Sequence, residues 1–329
     1  MTQNPLRKLY DPVGRCIYCG ATTYAPDSAR LLATEHIIPE ALSGTRELPQ
    51  ASCRRCERAI NPWETKLLLG MLLGSRTHLG LQTKRPKDRP GALPLFDTSV
   101  TPNRKMMVAI ADYPINVLMT AYDTPSALSG APFDRPEEAV WCHFLTRIDH
   151  ALLARKYGLM GFATSSLDTL ALCVTLAKIA HAYAVAELGL DSFIPTLPHF
   201  IMNGKHHGAR RYYIGGIIAQ IPPSSMLHEV AFEDAHTNSD WHVVRLRLLA
   251  SIGAPVYRVV AGQKINATKS EAVPIAEADA RRTSDRLHSA PEIACSIPTG
   301  LWDQPSPSAD APPAQGLPRG REHSSRGKV

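Results

Sequence analysis

No stretch of this 329-residue chain reaches the roughly 18 uninterrupted apolar residues of a membrane span. Its opening, Met1-Thr2-Gln3-Asn4-Pro5, has no apolar leader region. The expectation is a cytoplasmic protein with no membrane partner. Gly-rich phosphate loops, Walker motifs and a Gly-x-Ser-x-Gly elbow are also missing, so nucleotide-driven work and serine hydrolysis have no residues to carry them. No internal repeat is visible. A disulfide framework is not expected either, because Cys142, Cys173 and Cys295 are scattered through apolar or tail sequence, and Cys142 and Cys173 read as core residues.

The other four of the seven cysteines form two close pairs, Cys16-Ile17-Tyr18-Cys19 and Cys53-Arg54-Arg55-Cys56. Two Cys-x-x-Cys knuckles supply four soft ligands on tight turns, which suits a closed tetrahedral zinc site. Tyr18, Arg54 and Arg55 are not core residue types, and a redox motif needs one pair at a helix start rather than two, so structural zinc is preferred over redox chemistry. Between the pairs lies Glu35-His36-Ile37-Ile38-Pro39. Leu31 to Thr34 lead into it and Pro39 stops it, which predicts a strand. Successive strand side chains face opposite ways, so Glu35 and His36 share one centre only where the strand is bent or bulged.

About two domains of ~150 residues fit this length, and 44% hydrophobic content is enough for a core. Residues 1–100 hold 14 Lys or Arg against 9 Asp or Glu, so a polyanion partner should meet the N-terminal third. A break is expected near residue 90, where Lys84-Arg85-Pro86-Lys87-Asp88-Arg89-Pro90-Gly91 interrupts any pattern. Strands are predicted over 106–110, 115–119, 211–214, 217–221, 228–232, 243–248 and 256–260, the last after a Gly-Ala-Pro turn that favours a hairpin. Helical spacing runs over 141–157 and most clearly over Leu167 to Leu188, with Ser165, Ser166 or Asp168 as N-cap and Gly189 beyond the end. His206-His207 reads as a surface loop. Asn61, Pro62 and Glu64 have the N-cap, N1 and N3 pattern of a helix start for Trp63 to Leu73.

Taken together, the Cys-x-x-Cys, the Glu35-His36-Ile37-Ile38-Pro39-Glu40-Ala41-Leu42-Ser43-Gly44 stretch and Ala51-Ser52-Cys53-x-x-Cys56 resemble the HNH endonucleases, in the zinc-stapled subgroup of the ββα-metal nucleases. The resemblance spans about Arg15 to Lys66. It implies a small zinc-bound ββα-metal, treble-clef-like nuclease module, expected over residues 1–90 given the break there; with a mixed α/β domain of unassigned role over 91–280 and, where the core signal fades and Pro, Ser, Gly and Arg take over, a largely disordered tail over 281–329, the whole is expected to be α+β. It further implies His36 as general base and Glu35 as a ligand of catalytic Mg²⁺ or Mn²⁺, with zinc on Cys16, Cys19, Cys53 and Cys56 kept structural. A histidine with an ordinary pKa near ~6.5 suits proton transfer at neutrality, and carboxylates suit a hard cation. The family's last letter falls at Glu57, and Glu64 competes with it as second metal ligand. The middle Asn has no counterpart in Glu47-Leu48-Pro49-Gln50, which leaves Gln50 or a backbone carbonyl to orient His36. Nucleic acid, with DNA the expected form, would be met by Arg54, Arg55, Lys84 and Arg85. The alternative is a catalytically inactive, zinc-dependent nucleic-acid-binding or adaptor protein.

Overall fold

The computed structural model describes residues 7–82, 89–132, 139–164, 167–203, 207–217, 221–233 and 240–265. Lys84, Arg85, Cys295, His206 and the tail over 281–329 lie outside the described residues. The chain is mixed α+β, with several small sheets.

Strand β1 (Lys8–Leu9) runs parallel to β3 (Arg46–Ser52), and β2 (Ala33–His36) pairs antiparallel on its other side. Glu35 and His36 are therefore on a strand, as expected, and its register shifts between Ala33 and Glu35. The segment from Ile37 to Gly44 folds back tightly. A Cβ on Gly44 would lie 2.0 Å from the Ile38 carbonyl oxygen, so only glycine fits there.

Helix α1 (Arg54–Lys66) starts directly after β3, with Cys53 extended as its N-cap residue and Cys56 and Ile60 buried. The expected start at Asn61 is corrected: Asn61 and Pro62 lie inside α1, so Glu64 is not a first-turn residue. The local cap pattern loses because the second cysteine knuckle already anchors the first turn of a helix eight residues earlier. The predicted end at Leu73 also shifts. A π-helical turn, Leu67–Met71, closes with Leu72 N–H donating to the Leu67 carbonyl at 3.0 Å, and α2 (Leu73–His78) follows.

A three-stranded sheet is made by β4 (Ala92–Asp97), which lies between β5 (Arg104–Ala109) and β8 (Phe162–Ala163). Between them in the chain come β6 (Asn116–Ala121), α3 (Ser126–Ser129), β7 (Ala139–Phe144) and α4 (His150–Tyr157). The predicted helix over 141–157 is thus half wrong. Residues through Phe144 pair with buried β6, whose backbone groups need a partner strand, and only the part capped by Asp149 is helical.

Helix α5 (Thr169–Leu188) agrees closely with expectation. Asp168 Oδ1 accepts from Ala171 N–H at 2.8 Å at its start, Gly189 follows its end, and every residue from Ala171 to Val185 is buried. By length and composition this helix passes for a membrane span, but 83% of its apolar window is buried inside the protein, which makes it the central core helix. Beyond it come β9 (Phe193–Pro195), α6 (Pro198–Asn203), α7 (His207–Tyr213), β10 (Ile214–Ile217), β11 (Glu229–Phe232), β12 (Trp241–Arg247) and β13 (Val256–Lys264). The order is β10-β13-β12-β11, with β9 also on β13, and β12–β13 is the expected hairpin. Arg211 to Tyr213 are helical rather than extended, because the ladder begins at Ile214, where Val259 of β13 stands opposite.

One apolar cluster runs without a break from Cys16 through α5 to Ala261, and a smaller one gathers Leu93, Leu95, Val108, Tyr113, Ile115, Leu153 and Leu159. The cysteine-bearing segment and α5 share the first of these.

Candidate metal centre and adjoining cleft

The first knuckle is shaped by its backbone. Cys16 N–H donates to the Ala21 carbonyl at 2.7 Å, Gly20 N–H donates to the Cys16 carbonyl at 2.8 Å, and Gly20 takes φ 74°, a value that favours glycine. The second knuckle is the β3–α1 junction. Together they bring the sulfurs of Cys16, Cys19, Cys53 and Cys56 within 4.8 Å of one another, and none is in a disulfide. Cys16, Cys53 and Cys56 are buried and Cys19 is exposed. A hydrogen bond from Cys56 holds the Cys16 thiol down to about 5 against the upward push of burial, while the Cys56 thiol is driven up in turn. Four such thiols can ionise together only around a cation. The quartet is positioned to hold a metal ion, and among the described residues it is the one His, Cys, Asp and Glu group that converges this way.

Beside it opens a cleft of about 510 Å³ walled by β2, the 37–44 turn, α1 and α5. Glu35 and His36 both line it, although neighbours on a regular strand would diverge; the register shift just before Glu35 lies where such a bend is needed. Glu57 and Glu64 enter from α1, with Asn61 between them. Tyr24 O–H donates to Glu57 Oε2 at 2.8 Å. Arg76, from α2, donates through Nε to the Ala41 carbonyl at 2.7 Å and through Nη1 to the Leu68 carbonyl at 2.9 Å, which clamps the turn onto the helices.

The structure thus brings all four expected catalytic residues, Glu35, His36, Glu57 and Glu64, to one cleft, and all four expected zinc ligands to one cluster. Arg54 and Arg55 are exposed on the first turn of α1. At the stretch where the HNH resemblance would place an Asn, Glu47 on β3 stands directly opposite His36 on β2, its Oε1 3.6 Å from His36 Nδ1, and it is also ion-paired to Arg7. Gln50 adopts a left-handed φ of 49° farther along β3.

Sequence reasoning missed Lys178. This α5 residue, 2% exposed, sends Nζ to 2.6 Å from Glu35 Oε1 and 3.1 Å from Glu64 Oε1, and it also donates to the His36 carbonyl. Burial disfavours its ammonium, but the two carboxylates outweigh that and push its pKa up, so it stays charged. The one available clue was a lysine in the middle of an otherwise apolar helical run.

One turn along the same helix, His181 is fully buried and donates Nε2–H to the Ile17 carbonyl of the first knuckle at 2.8 Å. Burial lowers its pKa to about 4. The folded value lies below the unfolded one of roughly 6.5, so the unfolded chain binds the extra proton between these limits. The contribution is complete above about pH 6.5 and is lost as pH falls toward 4. Between pH 7 and 5, the unfolding free energy should therefore drop by about 2 kcal/mol more in the parent protein than in His181→Gln, which keeps an N–H donor. Equal pH dependence in denaturant titrations of the two proteins would refute the assignment.

Compared with known proteins, the chain matches no family model, no curated protein and no solved structure.

Proposed function

We propose that this protein is a metal-dependent endonuclease of HNH type, hydrolysing phosphodiester bonds of nucleic acid, with DNA the favoured substrate. The observation that carries the reading is the shared cleft. Glu35 and His36 from β2 and Glu57 and Glu64 from α1 face one another across it, on a strand–strand–helix unit fastened by the cysteine cluster. Soft thiolates in a closed quartet suit a structural zinc ion, and three carboxylates supply the hard oxygens that suit Mg²⁺ or Mn²⁺.

Electrostatics favour the same chemistry. Four glutamates, Glu35, Glu40, Glu57 and Glu64, line the cleft against Lys178 and Arg76 as its fixed cations. An acidic pocket repels a phosphodiester unless a divalent cation bridges the two. Such a cation, held by Glu35 with Glu57 or Glu64, would polarise the scissile phosphate and stabilise the leaving 3′ oxygen. His36 takes the proton of the attacking water, and Glu47 steadies its ring from the Nδ1 side, the place of the missing Asn. Arg54 and Arg55, outside the cleft on α1, grip phosphates away from the scissile bond, with Arg58 exposed one turn on.

The binding-only reading has one specific observation in its favour: Lys178 already neutralises part of the charge on Glu35 and Glu64. Divalent-dependent nicking of plasmid DNA by the purified protein separates the two. Nicking that stops with EDTA supports the nuclease, and DNA binding without nicking supports the adaptor. In either case Arg54→Ala/Arg55→Ala should weaken duplex binding and lower the log–log salt slope by about 0.9 for each phosphate no longer neutralised, as read by fluorescence anisotropy at several salt concentrations. An unchanged slope would move the phosphate-binding surface elsewhere.

A further inference from the structure

Lys178 is the most heavily engaged charged group near the cleft. Two carboxylate oxygens, Glu35 Oε1 at 2.6 Å and Glu64 Oε1 at 3.1 Å, face its Nζ together with the carbonyl oxygens of His36 and, at 3.5 Å, Ile37. An ammonium has three protons to donate, so four surrounding oxygens take all of them. At 2% exposure on a core helix, Lys178 reaches the cleft wall but presents almost no free surface there. Its donors are spent on these oxygens rather than offered to a phosphate. What remains is its effect on the carboxylates themselves.

We propose that Lys178 is a tethered cation that competes with the divalent ion for Glu35 and Glu64, holding the carboxylates together when no metal is bound and setting a weak affinity for the free ion. This rests on the reading of Glu35 as a divalent-ion ligand. Two features carry it. First, an oxygen-lined cavity occupied by –NH₃⁺ resembles a cation site already filled, with carboxylate and backbone oxygens in the roles they take around hard metals. Second, like charges a few ångström apart in a poorly hydrated cleft repel strongly, so a fixed ammonium against Glu35 lowers the pull of that carboxylate on any incoming cation. The tether is rigid, because Lys178 comes from a buried stretch of α5.

The test measures Mn²⁺ binding to zinc-loaded, full-length protein without nucleic acid, by titration calorimetry and by the electron paramagnetic resonance signal of free Mn²⁺. Lys178→Met should bind Mn²⁺ at least about tenfold more tightly than the parent. The conservative Lys178→Arg should keep the weak parental affinity, and adding Glu35→Gln to Lys178→Met should abolish the gain. Zinc content and melting temperature report whether each variant is folded. If Lys178→Met does not fold, the same comparison is made between Glu64→Gln and Lys178→Met/Glu64→Gln, which loses one buried charge of each sign and so keeps the parent's net charge, and the double variant should bind more tightly. Folded Lys178→Met with no tighter Mn²⁺ binding, in a protein whose Mn²⁺ binding still needs Glu35, overturns this proposal alone. Mn²⁺ binding that never depends on Glu35 overturns the metal reading and this proposal with it.

Discussion

His36→Ala should lower divalent-dependent DNA cleavage by about 10²–10⁴-fold, because a positioned general base typically contributes that much to a proton-transfer step. The fold should tolerate the change. The His36 side chain is 30% exposed at the rim of the cleft rather than in the core, and its neighbour Glu47 keeps an ion pair with Arg7 when the ring is gone. Its backbone carbonyl, which accepts from Lys178, is untouched by the substitution. Zinc content, circular dichroism and duplex affinity should therefore match the parent while the nicking rate falls. A well-folded His36→Ala protein that cuts plasmid at the parental rate would defeat the assignment, and a parent that binds DNA but never cuts would favour the adaptor.

Cys53→Ser should abolish zinc binding by the quartet and destabilise the whole N-terminal segment. A structural zinc site supplies about 10–16 kcal/mol of apparent binding free energy in small zinc peptides, and much of that is folding free energy. Here the quartet joins the loop carrying Cys16 and Cys19 to the β3–α1 junction carrying Cys53 and Cys56, beside backbone hydrogen bonds from Ile17 to Ala51 and from Arg54 to Tyr24. Cys53 is also the N-cap residue of α1, so its displacement disturbs the first turn, where Glu57 sits. Elemental analysis should find one zinc per parent chain and far less in the variant, with a marked fall in melting temperature. Full zinc stoichiometry in Cys53→Ser would rule out the tetrathiolate site. Cleavage should fall along with the metal, since Glu57 and Glu64 both ride on the helix that the knuckle starts.

What the sequence made legible was mostly local. Cysteine knuckles announce themselves because metal ligands need tight turns at short spacing, and the Glu35-His36 strand is bounded by a proline that cannot continue a ladder. The α5 boundaries were readable from Asp168 and Gly189, and the β12–β13 hairpin from its turn. Failures arose where a distant partner decides. The Asn61-Pro62-x-Glu64 cap pattern is a sound local rule, yet the second knuckle begins the helix earlier. Residues 141–144 have apolar spacing compatible with a helix, but β6 requires a neighbour and takes them as β7. Lys178 and Glu35 are far apart in the chain, and no spacing rule links them; only packing of α5 beneath β2 does. Glu47 facing His36 is a matter of cross-strand register, which depends on a shift just before Glu35 that the residues themselves do not announce.

The path of α5 under the cysteine-bearing segment has a consequence for synthesis on the ribosome. Cys56 and Glu64 are made more than a hundred residues before Lys178 and His181. At about 5–20 residues per second, that interval is roughly ten seconds. During it the quartet has all its thiols and can load zinc, but Glu35 and Glu64 lack their counter-ion and the Ile17 carbonyl lacks its donor. The nascent chain therefore passes through a stage with its metal knuckles complete and its acidic cleft unbalanced. Loading of a metal ion by the quartet and completion of the cleft are thus separable in time, and the second waits for the core helix.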